Sequence, residues 1–269
     1  LFIWHQLLGN DRTVAEPDDQ RGSLLGPSFD DPTIQSFLES TGAVYDHVPD
    51  PDQLDARLVK LIEDEKVVGL FQGRMEFGPR ALGCRSIIGD ARSRAMQSVM
   101  NLKIKFRESF RPFAPSVLRE ACSELFDLEA ESPYMMLVAP VREELRLPGA
   151  ADSSDAGEDL VAIVNEARSS IPAVTHVDYS ARIQTVDGVE KPDFHALIRE
   201  FQSLTGVGCV VNTSFNVRGE PMVLSPRDAY QCFMRTDMDL LVIENFLLRK
   251  PDQPKFEDRE DWQEEYELD

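Results

Sequence analysis

The sequence predicts an α/β (α+β) domain built on an open, twisted mixed β-sheet flanked by helices, and two observations carry that expectation. Apolar runs of strand length recur along the chain: VVGLFQ at 67–72, VGCVVN at 207–212 and DLLVIEN at 239–245. Between them lie segments with apolar residues at helical spacing, first Leu54, Leu58, Leu61 and Ile62, then Phe194, Leu197, Ile198 and Phe201. Strands alternating with helices give a layered α/β or α+β fold. With 269 residues and 42% hydrophobic content, the chain can bury a real core.

Residues 1–50 carry weak periodicity and many breakers (Gly9, Pro17, Gly22, Gly26, Pro27, Pro32, Pro49), with one short helical segment at 33–40. They read as the trailing edge of a preceding domain plus a linker. Leu1 opens the sequence without a methionine, and no small-residue cleavage site follows, so this start is read as a fragment boundary. A compact domain is expected over 51–250. Its further elements are an apolar run at 134–140 (YMMLVAP), a strand at 182–186 (RIQTV), a helix over 192–204 and another near 226–234. The acidic stretch at 149–159, with its Ser and Gly, is predicted to be a mobile surface loop, and 251–269 a loosely held acidic tail.

Composition excludes several functions. No apolar stretch approaches the roughly 18–20 residues that span a bilayer, so nothing is expected to be membrane-embedded. Cys84, Cys122, Cys209 and Cys232 lie far apart with no CxxC pair, and no histidines form HxxH, so neither a disulfide framework nor a metal site is expected. A reduced, cytoplasmic setting fits these thiols. A net charge of −20 argues against a nucleic-acid surface. Between Arg74 and Arg119, however, ten Lys/Arg face three acids, which leaves this segment at +7 and the remainder at −27. A basic island in an acidic chain points to a small anion bound locally.

Four segments concentrate chemistry-bearing residues. GRMEFGPRALGCRSI (73–87) follows the first strand run; Gly73, Gly78 and Gly83 allow sharp turns, while Arg74, Arg80 and Arg85 supply planar forks for phosphate or carboxylate. Neither GxxxxGK[ST] nor GxGxxG is present, so any nucleotide binds by another architecture. In NLKIKFRESFRPFAPS (101–116), Lys103, Lys105, Arg107 and Arg111 interleave with Ile104, Phe106 and Phe110. Read as an extended stretch, this alternation places Lys105 and Arg107 on one face, with Phe106, Phe110 and Phe113 as core. A bound polyanion is the natural counter-charge, although a solvated ribbon or an RNA-contacting strand stays open on these residues alone. VVNTSFNVRGEP (210–221) brings Asn212, Thr213, Ser214 and Asn216 to a strand's carboxyl end, where α/β sheets place ligands. THVDYSARIQTV (175–186) sets His176 and Arg182 about a turn.

Together these segments resemble the C-terminal half of the NodU/CmcH-type carbamoyltransferases, over roughly residues 60–250. The matching stretches are VVGLFQGRMEFGPRALGCRSI, NLKIKFRESFRPFAPSVL, THVDYSARIQTV, VVNTSFNVRGEP and DLLVIENFLLRK. The resemblance implies a YrdC-like domain that makes carbamoyl-adenylate from carbamoyl phosphate and ATP, with Mg2+ on the triphosphate. It also implies an N-terminal sugar-kinase-like domain, absent from this fragment, that holds a His-bound Fe2+ or similar metal and passes the carbamoyl group to a small-molecule acceptor hydroxyl. The KxR…SxN signature of YrdC-like domains finds its counterpart in Lys105-Phe106-Arg107 and Ser214-Phe215-Asn216. By resemblance, Lys105, Arg111 and Arg80 are catalytic, neutralising phosphate charge. Arg182, Asn212 and Ser214 join them in holding carbamoyl phosphate and ATP, with Arg107, His176 and Asn216 close by, and Arg74 of the Gly-rich segment is added as a further binding residue on its fork chemistry. The sequence departs from the family pattern at Cys84, Tyr179 and Glu244, and a bulky Tyr179 beside Arg182 is expected to narrow the entry. Two rival readings are an RNA- or tRNA-modification-related YrdC-like protein and a non-catalytic nucleotide-binding module.

Overall fold

The computed structural model describes residues 1–13, 15, 19–108, 111–147 and 166–256. The loop predicted at 149–159, Phe110 and residues 257–269 of the predicted tail lie outside them.

Polar side-chain caps start three of the described α-helices. Asp30 accepts from the Thr33 N–H ahead of α1 (Asp31–Thr41), and Asp50 accepts from the Asp52 N–H ahead of α2 (Pro51–Glu63); each helix has a proline in its first turn. Leu54, Leu58, Val59 and Ile62 form the buried stripe of α2. α3 (Met96–Lys103) and the short α4 (Cys122–Leu125) follow. α5 (Pro192–Thr205) buries Phe194, Leu197, Ile198 and Phe201 and ends at Gly206, whose φ of 79° closes the helix in a left-handed turn. α6 (Pro226–Arg235) opens with a capping box between Ser225 and Asp228.

The strands are β1 (Asp46–His47), β2 (Val68–Phe71), β3 (Arg85–Asp90), β4 (Ala114–Leu118), β5 (Leu137–Pro140), β6 (Ser180–Val186), β7 (Cys209–Ser214), β8 (Leu240–Ile243) and β9 (Phe246–Arg249). Among the described residues they form one nine-stranded sheet in the order β1-β9-β8-β2-β3-β7-β4-β6-β5. β2 runs parallel to β8 and β4 parallel to β6, while the other neighbours are antiparallel. The sheet is therefore mixed, as the alternation predicted. α2 and α5 pack on each other, with α2 also meeting β3 and α5 meeting β4 and β7; α6 covers β2 and β8 and touches α1. Ile34 and Leu38 of α1 join the same core as the sheet.

One local expectation is corrected. The segment after Met96 is not extended: α3 runs to Lys103, and Phe106, at a φ of 48°, reverses the chain. Lys105 and Arg107 consequently share no strand face; their N–H groups bond back to the carbonyls of Met100 and Asn101 at 2.9 and 3.0 Å. The Gly-rich segment leads directly into β3, which is fully buried along its length.

Candidate active site

The loop between β2 and β3 is organised around a buried carboxylate. One oxygen of Glu76 accepts from the N–H groups of Leu82 (2.7 Å), Cys84 (2.6 Å) and Arg85 (3.3 Å), which wraps the backbone around it. Gly83, at a φ of 112°, lies so close to α5 that a Cβ there would sit 2.4 Å from the Phe194 ring. Residues 23–27 run along the loop's outer side, with the Phe77 N–H bonding to Ser23 O at 2.7 Å and the Met75 N–H to Pro27 O at 3.0 Å. Arg85 is consumed by this construction. Its guanidinium donates to the carbonyls of Gln72, Gly73, Cys84 and Pro27 at 2.9–3.2 Å and lies 3.4 Å over the Phe71 ring. It is fully buried, so the expectation of a ligand-facing fork at this position is corrected.

Beneath the loop, three polar side chains from adjacent strands form a buried floor. Gln184 (β6) donates to Leu82 O at 2.9 Å and accepts from the Ser116 (β4) hydroxyl at 2.5 Å. Asn212 (β7) directs its Nδ2 at Ala81 O (3.1 Å), Ser116 Oγ (2.9 Å) and Gln184 Oε1 (2.9 Å). Register puts these groups side by side, since Ala114 pairs with Asn212 and Ser116 with Gln184. The floor fixes the loop that carries Arg80.

Above this floor opens a cleft of about 150 Å³, lined by Arg80, Arg107, Arg182, Asn212 and Ser214 together with Pro79, Ala81, Pro112, Phe113, Ala114, Met135 and Thr213. It lies where β4 and β6 begin and β7 ends. A second hollow of about 260 Å³ shares Pro112, Phe113, Ala114 and Arg182 with it and adds Val138, Val174, His176, Ser180 and Ala181. Arg182 thus lines two adjoining hollows. Loss of hydration lowers the pKa of Arg182, and the charge of Arg80 lowers it further. Loss of hydration likewise brings Arg107 down to about 10, with Arg111 adding to the effect, and its guanidinium lies 5.0 Å from the Phe113 ring centre. Guanidinium groups remain charged even so, and three of them facing one cleft attract an anion.

Lys105 lies behind this wall rather than in it. Its ammonium is buried and donates to Ser214 O, Asn216 O (2.9 Å) and Asn216 Oδ1 (2.7 Å), with Ser214 Oγ at 3.4 Å. Burial brings its pKa down to about 7, with Arg107 adding to the pull. The surrounding oxygens work the other way, favouring the charged form. Lys105 therefore braces the turn that presents Ser214, which in turn donates to Asn216 Oδ1 at 2.8 Å.

The remaining predicted residues are placed as follows. Arg111 pairs with Glu108 at 3.1 Å next to the cleft-lining Pro112, and its own side chain does not line either hollow. Arg74 is exposed and donates to Leu25 O at 3.2 Å, away from the lining. His176 lines the second hollow and contacts Asp178 at 3.0 Å; Asp178 itself is held at a pKa of about 2 by the hydroxyl and N–H of Ser180. Tyr179, at a φ of 63°, explains why glycine suits this turn. The Arg146 guanidinium lies 5.0 Å from its ring centre, and Tyr179 lines neither hollow. Glu76, Ser116 and Gln184 were missed. Their signals were a lone acid inside a basic run and an amide inside an apolar strand. Among the described residues no group of three His, Cys, Asp or Glu gathers as a metal site, and no helix is long and apolar enough to cross a membrane.

The mixed sheet and its arginine-lined cleft define an α/β domain suited to a small anion. The profile of the carbamoyltransferase C-terminus matches residues 59–250, and the chain belongs to this family. It is 56% identical over its whole length to sll1178 of Synechocystis sp., covering 44% of that protein. It is 41% identical to nodulation protein NolNO of Sinorhizobium fredii over 74% of the chain and 26% of the relative. To the 3'-hydroxymethylcephem-O-carbamoyltransferase of Streptomyces clavuligerus it is 33% identical over 85% of the chain and 42% of the relative. The chain spans less than half the length of each of these relatives. The family read from the motifs is therefore borne out.

Proposed function

We propose that this chain is the carbamoyl-activating part of an O-carbamoyltransferase, which uses carbamoyl phosphate and ATP to form carbamoyl-adenylate. The observation that carries the reading is the convergence of Arg80, Arg107 and Arg182 on one cleft, with Arg182 shared by the adjoining hollow. Two adjoining hollows suit two anionic substrates. Water releases carbamate and phosphate from carbamoyl phosphate, and a carbamate oxygen then attacks the α-phosphorus of ATP and expels pyrophosphate. Both partners are anions, and the three guanidiniums offset their repulsion and stabilise the charge that builds on the phosphoryl oxygens. Held in place by Lys105 and Asn216, Ser214 offers its hydroxyl oxygen at the same wall. Mg2+ would arrive on the triphosphate, and transfer to an acceptor hydroxyl would fall to the part of the protein that this chain does not span.

Exchange of labelled pyrophosphate into ATP tests the reading. The chain should support exchange only when carbamoyl phosphate is supplied; a passive nucleotide binder gives none, and that result would refute it.

A further inference from the structure

The basic segment from Arg74 to Arg119 contains three acids, and two of them are locked in place. Glu76 is 2% exposed and accepts three backbone N–H groups, and Asp90 is 3% exposed and takes the Arg92 guanidinium through both carboxylate oxygens. Glu108 is held differently. Its side-chain partner among the described residues is Arg111, with Nε 3.1 Å from Oε2, and the two side chains are 39% and 38% exposed. An ion pair this open to water contributes little to stability and is given up at little cost. The charges around it are one-sided. The Glu108 N–H first, then Arg111, Arg218 and Arg107, hold its carboxyl below the usual carboxylate range.

Neither Glu108 nor Arg111 lines the cleft, yet both belong to the segment that forms its wall, since Arg107 precedes the one and Pro112 follows the other. Arg111 is pinned through its backbone. Its carbonyl accepts from Asn101 Nδ2 at 2.8 Å and from Gln97 Nε2 at 3.2 Å, while Asn101 Oδ1 accepts from Arg107 Nε at 2.6 Å. One buried amide therefore ties the two arginines together and leaves the Arg111 guanidinium to turn by side-chain rotation.

We infer that Glu108 is a resident counter-ion of the anion cleft, competing with an incoming phosphate for the Arg111 guanidinium. The inference rests on the cleft being a phosphate site, as the proposed function requires. A phosphate chain carries more charge than a carboxylate and takes several guanidinium forks at once, so it wins the exchange. Released from Glu108, Arg111 joins Arg107 at the phosphate. The exchange trades one ion pair for another, which holds the affinity for pyrophosphate down and lets this product leave after adenylation.

Calorimetric titration with inorganic pyrophosphate, without Mg2+, tests the inference on the parent chain, Glu108→Gln, Arg111→Gln and the double variant. Glu108→Gln should bind pyrophosphate about twofold to fivefold more tightly, the range set by losing one exposed ion pair, and its circular dichroism should match the parent. With Arg111→Gln as the background, the same change should leave affinity within about 1.5-fold, because the contested guanidinium is gone. Unchanged or weaker binding by Glu108→Gln would overturn the inference while leaving the anion cleft intact. An equal gain in both backgrounds would overturn it too, since general charge and not competition for Arg111 would then be the cause. If the parent binds no pyrophosphate, both the inference and the proposed function fail.

Discussion

In the cleft, Arg182 sits near Arg80, and the pair lowers the pKa of Arg182 after loss of hydration has begun the shift. At the contact between α2 and α5, Asp55 sits near Asp193, Asp52 and Glu200, and its pKa rises to about 7, first through burial and then through these acids. Both regions crowd like charges where hydration is reduced, yet they relieve the crowding in different ways. A carboxylate raised to neutrality can take a proton, so the acidic contact quiets itself. A guanidinium cannot shed its proton in any physiological range. The cleft is relieved only by an arriving anion, which makes its repulsion a recruiting device, whereas the acidic contact merely costs stability.

The largest effect that would break this comparison is expected at Arg182, which stands in both hollows. Arg182→Ala should cut carbamoyl-phosphate-dependent pyrophosphate exchange by about a hundredfold to a thousandfold, in line with removing one donor that stabilises developing charge. Its circular dichroism and melting curve should match the parent, because the side chain is exposed.

Lys105 comes next, and here stability is the readout. Lys105→Met leaves the oxygens of Ser214 and Asn216 without their donor and should cost about 2–3 kcal/mol in urea unfolding at pH 9. The sign with pH follows from a folded value near 7, below the ordinary lysine value. The contribution of Lys105 is fully present above the ordinary value and is lost as pH falls through about 7. The parent should therefore gain stability between pH 7 and 10 from this group, and Lys105→Met should lack that increment.

Asp55 gives the smallest effect and the opposite slope. Its folded value lies above the unfolded one of 3.8, so the cost is absent below about 4, grows as pH rises and is complete above 7. Asp55→Asn should raise stability at pH 8 by about 1–2 kcal/mol once solvent screening is allowed for, and by nothing at pH 4. A stabilisation equal at both pH values would show that carboxylate crowding is not the cause.

Local pattern exposed much of this molecule to a reader of its sequence. Apolar spacing in α2, α5 and α6 and strand-length runs at β2, β7 and β8 report burial directly. Three glycines and their arginines marked the loop, and Asn212 with Ser214 marked the strand end. What stayed hidden depends on pairings far apart in the chain. β3 is buried on both faces and so lacks alternation, and it continues directly from the Gly-rich loop. The basic ribbon looked extended because its cations alternate with apolar residues, but Phe106 adopts a left-handed φ and sends Lys105 inward to Ser214 and Asn216. Arg85 read as a ligand fork because nothing local reveals the four carbonyls that occupy it. Gln184 and Ser116 gain meaning only once β4, β6 and β7 lie side by side.

The central claim is that Arg80, Arg107 and Arg182 act as one anion trap. Calorimetric titration with pyrophosphate of the parent, of Asp55→Asn and of a variant with all three arginines changed to glutamine tests it most directly. Binding should be equal in the first two, weaken as salt rises and vanish in the third. Undiminished binding in a folded triple variant would contradict the account.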